Sequence, residues 1–186
     1  MARLAEKQVE EFFTPILADN PGHPNGWPIR MMVASQTEAR HNRRLWAPSH
    51  LISIRAPGTK LLSMIDLPDE NHLQLIFSDA LDQEEPHAAT AEAVDQAFAF
   101  IDRLPADAHL LVHCLRGLGR APALALGILG RYMEPEAAAA NLHMLRPEAK
   151  PNRHVVTLCD AHLSLKGKLA RQALRFPAKV WKPAKG

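Results

Sequence analysis

Cysteine is scarce: Cys114 and Cys159 are the only two in 186 residues, too few for the disulfide framework of a small secreted domain. No uninterrupted apolar stretch approaches the roughly 20 residues that a membrane-spanning helix needs. The opening residues, Met1 to Lys7, lack the apolar core of a signal peptide. These absences make the cytoplasm the expected location. Excess charge is missing as well. The formal net charge is +2, so bulk electrostatics do not announce a nucleic-acid binder. Apolar side chains are plentiful at 47% of the chain, which at this length supports a buried core without disulfides or a structural metal.

Short apolar runs alternate with helical stretches. Leu4, Val9, Phe12, Phe13 and Ile16 make residues 2–17 an expected amphipathic helix, and the Pro- and Gly-rich run 20–28 ends it. Strands are expected at 29–33, 50–54, 72–77 and 110–113, with a helix or loop between the first two. Val94, Phe98, Ile101 and Leu104 recur at spacings of four and three, which predicts a helix ending at Leu104-Pro105. Residues 121–133 are apolar nearly all round and predict a buried central helix. Glu134-Pro135 restarts helical structure, since proline is tolerated in a first turn. Val155, Cys159 and Leu163 then share the face of a further helix. This order predicts an α/β domain, with a central, mostly parallel sheet of about four to five strands flanked by helices. The organisation expected is an N-terminal helical extension and linker over 1–28, the main domain over 29–165, and a basic tail over 166–186.

Chemistry concentrates in Leu110-Leu-Val-His-Cys-Leu-Arg-Gly-Leu-Gly-Arg120. A hydrophobic strand runs into Cys114, a loop bearing Gly117 and Gly119 follows, and Arg120 opens a helix. A loop entering a helix N-terminus points several backbone N–H groups at one spot, where the helix dipole favours negative charge. Glycines let such a backbone curl around an anion. The same field is expected to favour the cysteine thiolate. Arg120 offers a planar fork that grips two oxygens of an oxyanion, which lysine does not reproduce. The residues expected to line an anion are Leu115, Arg116, Gly117, Leu118 and Gly119, with His113 ordering the loop.

His113-Cys114-Leu-Arg-Gly117-Leu-Gly-Arg120 resembles the His-Cys-x2-Gly-x2-Arg loop of cysteine-dependent protein tyrosine and dual-specificity phosphatases. The wider stretch from about 48 to 165 resembles small bacterial tyrosine-phosphatase-like proteins, through Pro48-Ser-His-Leu-Ile-Ser-Ile54, Phe77-Ser-Asp79 and Arg146-Pro-Glu-Ala-Lys-Pro-Asn-Arg153. The resemblance implies phosphomonoester hydrolysis through a phosphocysteine, with Cys114 as nucleophile, Arg120 as phosphate clamp and no metal or other cofactor. It also places the general acid on the loop before the long helix. Asp79 fits that place, and Asp82 is the reserve. One departure stands out. The family carries Ser or Thr directly after the arginine, where the hydroxyl helps the sulfur leave, and this chain has Ala121. Slow breakdown of the phosphocysteine follows, or a module that binds phosphate or phosphoprotein without turning it over. Another alternative keeps the chemistry but changes the substrate to a phosphoinositide, an inositol phosphate or an RNA 5′-phosphate.

Other residues have plainer readings. Arg116 points outward, either toward an acidic substrate or simply into water. Cys159 reads as core, with a protective disulfide to Cys114 as the alternative. His109 and His113 have i, i+4 spacing, but on a strand that separates them by about 13 Å, so no metal site is expected. From Lys166 onward the tail carries cations and no acidic residue. That run is either a solvated face or a docking surface for an acidic partner, and Phe176 within it suggests partial folding back onto the domain.

Overall fold

The computed structural model describes residues 22–59 and 67–176. The expected helix over 2–17 and the tail beyond Phe176 lie outside the described residues. Four strands form one sheet: β1 (Met31–Ser35), β2 (His50–Arg55), β3 (His72–Ile76) and β4 (Leu110–Cys114). Every pairing is parallel and the order is β1-β4-β2-β3. Parallel strands are joined by crossovers that cover both faces, which is why the inner strands read as unbroken apolar runs rather than alternating ones. β1 begins two residues later than the apolar pattern suggests, because Ile29 has a positive φ of 57°, outside extended geometry. It runs on to Ser35 because that residue pairs with Cys114 on β4.

Alternation along the strands divides the core in two. Met31, Val33, Ile52, Ile54, Leu110, Val112 and Cys114 face the larger cluster. There α2 (Ala91–Ile101) and α3 (Arg120–Tyr132) pack on the sheet, and α4 (Pro135–Leu145), α5 (Arg153–His162) and α6 (Lys168–Ala173) pack around α3. Met32, Ala34, Leu51 and Leu111 face the smaller cluster, closed by Ala39 and Trp46 of α1 (Gln36–Trp46). The helix α3 is buried along almost its whole length, from Arg120 to Gly130, as its all-round apolar sequence predicts. Thr90 caps α2 by accepting from the Ala93 N–H, and Pro135 opens α4. Beyond residue 165, Leu169, Ala173 and Phe176 pack into the larger cluster. At the other end Trp27 is fully buried there, and its Nε1–H donates to the Ala108 carbonyl at 2.9 Å.

Because β4 lies inside the sheet with β1 and β2 on either side, the residues just past its C-terminal end meet loops from several elements. Open parallel sheets place ligands at that edge.

Candidate active site

Cys114 is the last residue of β4 and Arg120 is the first of α3. The loop between them curls so that the Gly117 N–H donates to Cys114 Sγ at 3.3 Å. A backbone amide therefore points at the sulfur, and α3 starts at the far end of the same loop. Gly117 has φ +67°, and a Cβ there would lie 2.6 and 2.8 Å from the carbonyl carbon and oxygen of Ala34 and closer still to the Ser35 nitrogen. The loop is therefore pressed against the end of β1 at a point where only glycine fits. Leu115 and Arg116 project into solvent, while Leu118 and Gly119 are half-buried.

Two other segments brace this loop. The Leu115 carbonyl accepts from the Gln36 N–H at 3.3 Å. Leu118 and Gly119 offer their carbonyls to the backbone N–H groups of Lys150 and Asn152, at 2.8 and 3.2 Å. Ser35 and Glu38 form a capping box at the start of α1: the Ser35 N–H donates to Glu38 Oε2 at 2.7 Å, and the Glu38 N–H to Ser35 Oγ at 3.2 Å. Arg146 Nη1 lies 2.8 Å from the same carboxylate oxygen. Burial tends to raise the Glu38 acid, but Arg146 and Ser35 outweigh it and hold the carboxyl below its ordinary value. The beginning of α1 is thus tied to the turn after α4, and both tie to the loop.

Arg120 is only 6% exposed. Its Nη1 donates to the Phe77 carbonyl at 2.8 Å, and its buried Nε has no partner. Among the described residues it forms no ion pair. Burying a guanidinium without a counter-charge is costly, and an oxyanion held against the loop amides would relieve that cost. Arg120, His113 and Leu115 line a hollow of about 60 Å³ with residues from β2 and the start of α1, several times what a single water requires. Cys114 lies between two of those lining residues in sequence and is itself 2% exposed.

Asp79 lies on the loop after β3, its side chain exposed, and reaches the Cys114–Arg120 loop: a Cβ on Gly119 would stand 2.8 Å from both of its carboxylate oxygens. Asn152 Nδ2 donates to Asp79 Oδ1 at 2.9 Å and to the Ala80 carbonyl at 2.8 Å. Asp82 is engaged elsewhere, accepting from the Glu84 N–H at 3.1 Å within its own turn. The structure therefore brings Asp79 against Gly119, the residue before Arg120.

His113 is buried, and its Nε2 lies 2.7 Å from Ser53 Oγ, which in turn is 2.9 Å from His72 Nε2. Burial, reinforced by the nearby His72, pushes His113 down to about 4, so the ring is neutral at pH 7. The imidazole is thus held against a hydroxyl on the neighbouring strand, directly before Cys114. His109 is turned to other partners, its Nδ1 3.2 Å from the Trp46 carbonyl. Among the described residues no cluster of His, Cys, Asp and Glu has the arrangement of a metal site, and no helix is long and apolar enough to cross a membrane. Cys159 is fully buried on α5 and its thiol is pushed up to about 12, by burial first and then by Asp160. It behaves as a core hydrophobe.

No protein-family model matches the sequence, and no curated protein is significantly similar to it. Solved structures do resemble it. The PTP-2 phosphatase of Cydia pomonella superposes with a TM-score of 0.58 at 20% identity, over 70% of this chain and 84% of that one. DUSP15 gives 0.54 at 20% identity, over 78% and 91%. The fold is that of the tyrosine and dual-specificity phosphatases. The human tyrosine phosphatase-like serine/threonine/tyrosine-interacting protein shares this phosphatase fold, with a TM-score of 0.53 at 19% identity over 72% and 87%.

Sequence reasoning missed three contributors: Asn152, Ser53 and the Glu38–Arg146 brace. Asn152 was legible as a helix N-cap, since it precedes Arg153 and an apolar run. Its bond to Asp79 depends on tertiary structure alone. Ser53 meets His113 only because β2 pairs with β4 in the register Ser53↔His113.

Proposed function

We propose that this chain is a cysteine-dependent phosphatase that hydrolyses phosphomonoesters by the tyrosine and dual-specificity mechanism. The observation that carries the reading is Cys114 at the end of the inner strand with the Gly117 amide on its sulfur and Arg120, buried and without a counter-charge, at the other end of the same loop. In the first step the Cys114 thiolate attacks phosphorus, a sulfur–phosphorus bond forms and the ester P–O bond breaks. The electron pair leaves on the ester oxygen, which takes a proton from Asp79. Asn152 occupies Oδ1 and so leaves Oδ2 to carry that proton. Loop amides and Arg120 stabilise the charge on the equatorial oxygens. In the second step water attacks the phosphocysteine, Asp79 accepts its proton, and inorganic phosphate and the thiolate are released. No cofactor enters either step. The substrate is a phosphorylated protein or another phosphomonoester, and two free, buried thiols suit a reducing, cytoplasmic setting.

Hydrolysis of a generic aryl phosphate tests this. Wild type should release phosphate, Cys114→Ser should be inactive, vanadate should inhibit, and Asp79→Asn should lose about 10²–10⁴-fold in turnover. Undiminished hydrolysis by Cys114→Ser would exclude the mechanism. Ala121, fully buried where the family carries a hydroxyl, favours a second reading, a phosphate-binding module. That reading requires phosphate binding with no turnover even in a single-turnover experiment.

A further inference from the structure

Arg55 is not part of the phosphatase loop, and the sequence pattern gives it no role, yet it stands at the site. Ile54 pairs with Cys114 across β2 and β4, which places Arg55 one residue beyond the nucleophile at the same sheet edge. Its side chain lines the same hollow as Arg120. The guanidinium is positioned rather than loose: Nη1 donates to the Thr59 carbonyl at 2.9 Å, while Nε is buried without a partner. Among the described residues no carboxylate pairs with Arg55 or with Arg120. Two guanidinium groups are permanently charged and repel one another. Holding both at one hollow, each with a buried N–H unsatisfied, is destabilising without an anionic ligand, and two separate cations suit a ligand that carries two anionic groups. The hollow's other described walls are Ser53, Gln36, Thr59 and the aliphatic Ile54, Ala56 and Leu115, and its only ring among the described residues is His113, already bonded to Ser53. No aromatic side chain among them offers a stacking face for a phenyl ring.

We propose that Arg55 forms a second anion subsite beside the nucleophile, and that the preferred substrate is a bisphosphate, in which one phosphate is transferred to Cys114 while a neighbouring phosphate is held by Arg55. The inference rests on the phosphatase reading for the transfer step, but the subsite itself is a matter of binding. A charge-assisted, two-point contact of this kind discriminates by about 10–100-fold in affinity or kcat/KM.

Two measurements keep the subsite and the chemistry apart. Calorimetry on Cys114→Ser with orthophosphate and with pyrophosphate reads the subsite without turnover. Pyrophosphate should bind at least about tenfold tighter, Arg55→Gln in that background should abolish the difference, and Arg55→Lys should retain part of it. Phosphate release by the unmodified enzyme is then compared on an inositol monophosphate, an inositol bisphosphate with adjacent phosphates, a tyrosine-phosphorylated peptide, and phosphatidylcholine vesicles carrying a phosphatidylinositol bisphosphate. The proposal expects either bisphosphate to exceed the monophosphate and the peptide in kcat/KM, and the ratio to collapse in Arg55→Gln. Preference for the soluble or the vesicle form identifies the source of the headgroup. Tighter pyrophosphate binding without any hydrolysis would uphold the subsite and remove the phosphatase reading. Equal binding of the two anions, a ratio unmoved by Arg55→Gln, or a preference for the phosphopeptide would overturn the subsite even if hydrolysis is fast.

Discussion

Asn152 donates its side-chain amide to Asp79 Oδ1 at 2.9 Å, joining residues 73 positions apart. The same residue donates its backbone N–H to the Gly119 carbonyl, and its Oδ1 accepts from the Val155 N–H to cap α5. One buried residue, through its side chain and its backbone, therefore fixes the loop after β3, the Cys114–Arg120 loop and a helix start relative to each other. Serine at this position keeps the cap but is too short to hold Asp79. Asn152→Ser should lower kcat on an aryl phosphate by about 10–100-fold, since misplacing a reacting group by an ångström has that effect, with vanadate affinity nearly unchanged. Asn152→Ala should add a loss of about 1 kcal/mol in stability from the missing cap. Steady-state kinetics and urea midpoints on both variants check this. An unchanged kcat in the serine variant would remove Asp79, or its tether, from the mechanism.

Gly117→Ala tests the loop itself. The positive φ and the close approach to Ala34 and Ser35 leave no room for a methyl group, and the obstacle is backbone, which cannot rotate away. Either the loop lifts off β1 or the variant loses stability, by about 1–3 kcal/mol on the scale of strain and overpacking. Lifting of the loop takes the amide away from Cys114 Sγ. Vanadate affinity should fall by at least about tenfold, which corresponds to the loss of one charge-assisted hydrogen bond. A variant that binds vanadate as wild type does would show that the Gly117 amide is not part of the anion site.

The main parts of the fold were legible because each left a local pattern. Val94, Phe98 and Ile101 did mark one buried face of α2, and the run after Arg120 did become the central helix. The strand–loop–helix junction at Cys114 to Arg120 was legible because its apolar strand, its glycines and its helix lie in contiguous chain. Partnerships across the sheet were not. Nothing in His50 to Arg55 states that β2 lies beside β4 rather than β1, so neither Ser53 against His113 nor Arg55 beside Arg120 has a signature in sequence. Glu38 and Arg146 are likewise unremarkable surface charges until folding sets them 2.8 Å apart.

Acid should weaken the fold through His113. Its folded value of about 4 lies below the ordinary 6.5 because the ring is buried and faces His72. Between those two values the unfolded chain binds a proton that the folded chain does not, so stability is full above pH 6.5 and declines as the pH falls toward 4. Each unit of difference is worth about 1.4 kcal/mol, giving a loss of about 2 kcal/mol between pH 7 and pH 5 from this group. His50 and His72 are also lowered, by burial in each case, and act in the same direction. Urea unfolding at the two pH values should show the decline in wild type and a smaller one in His113→Gln. A flat wild-type profile would mean that the imidazole is not held neutral.

Ala121 offers the sharpest kinetic test, because a single atom is at issue. It follows Arg120 in the first turn of α3 and is fully buried. A serine there adds one hydroxyl at the place where the resembling phosphatases donate to the departing sulfur. On the proposed mechanism the first step proceeds as before without that donor, since attack on phosphorus would use the thiolate, Arg120 and Asp79. Breakdown of the proposed phosphocysteine should be slowed, because the sulfur would leave with its charge less well stabilised. Wild type should therefore show a burst of aryl alcohol close to one equivalent of enzyme, followed by slow turnover. Ala121→Ser should shrink the burst and raise the steady-state rate by about tenfold or more, the usual worth of one hydrogen bond to a charged group. Rapid-quench measurement of the burst, with trapping of the phosphoenzyme in acid, reads both effects. Linear product formation in wild type from the first turnover, at a rate that Ala121→Ser leaves unchanged, would show that water, or another donor, already serves the leaving sulfur.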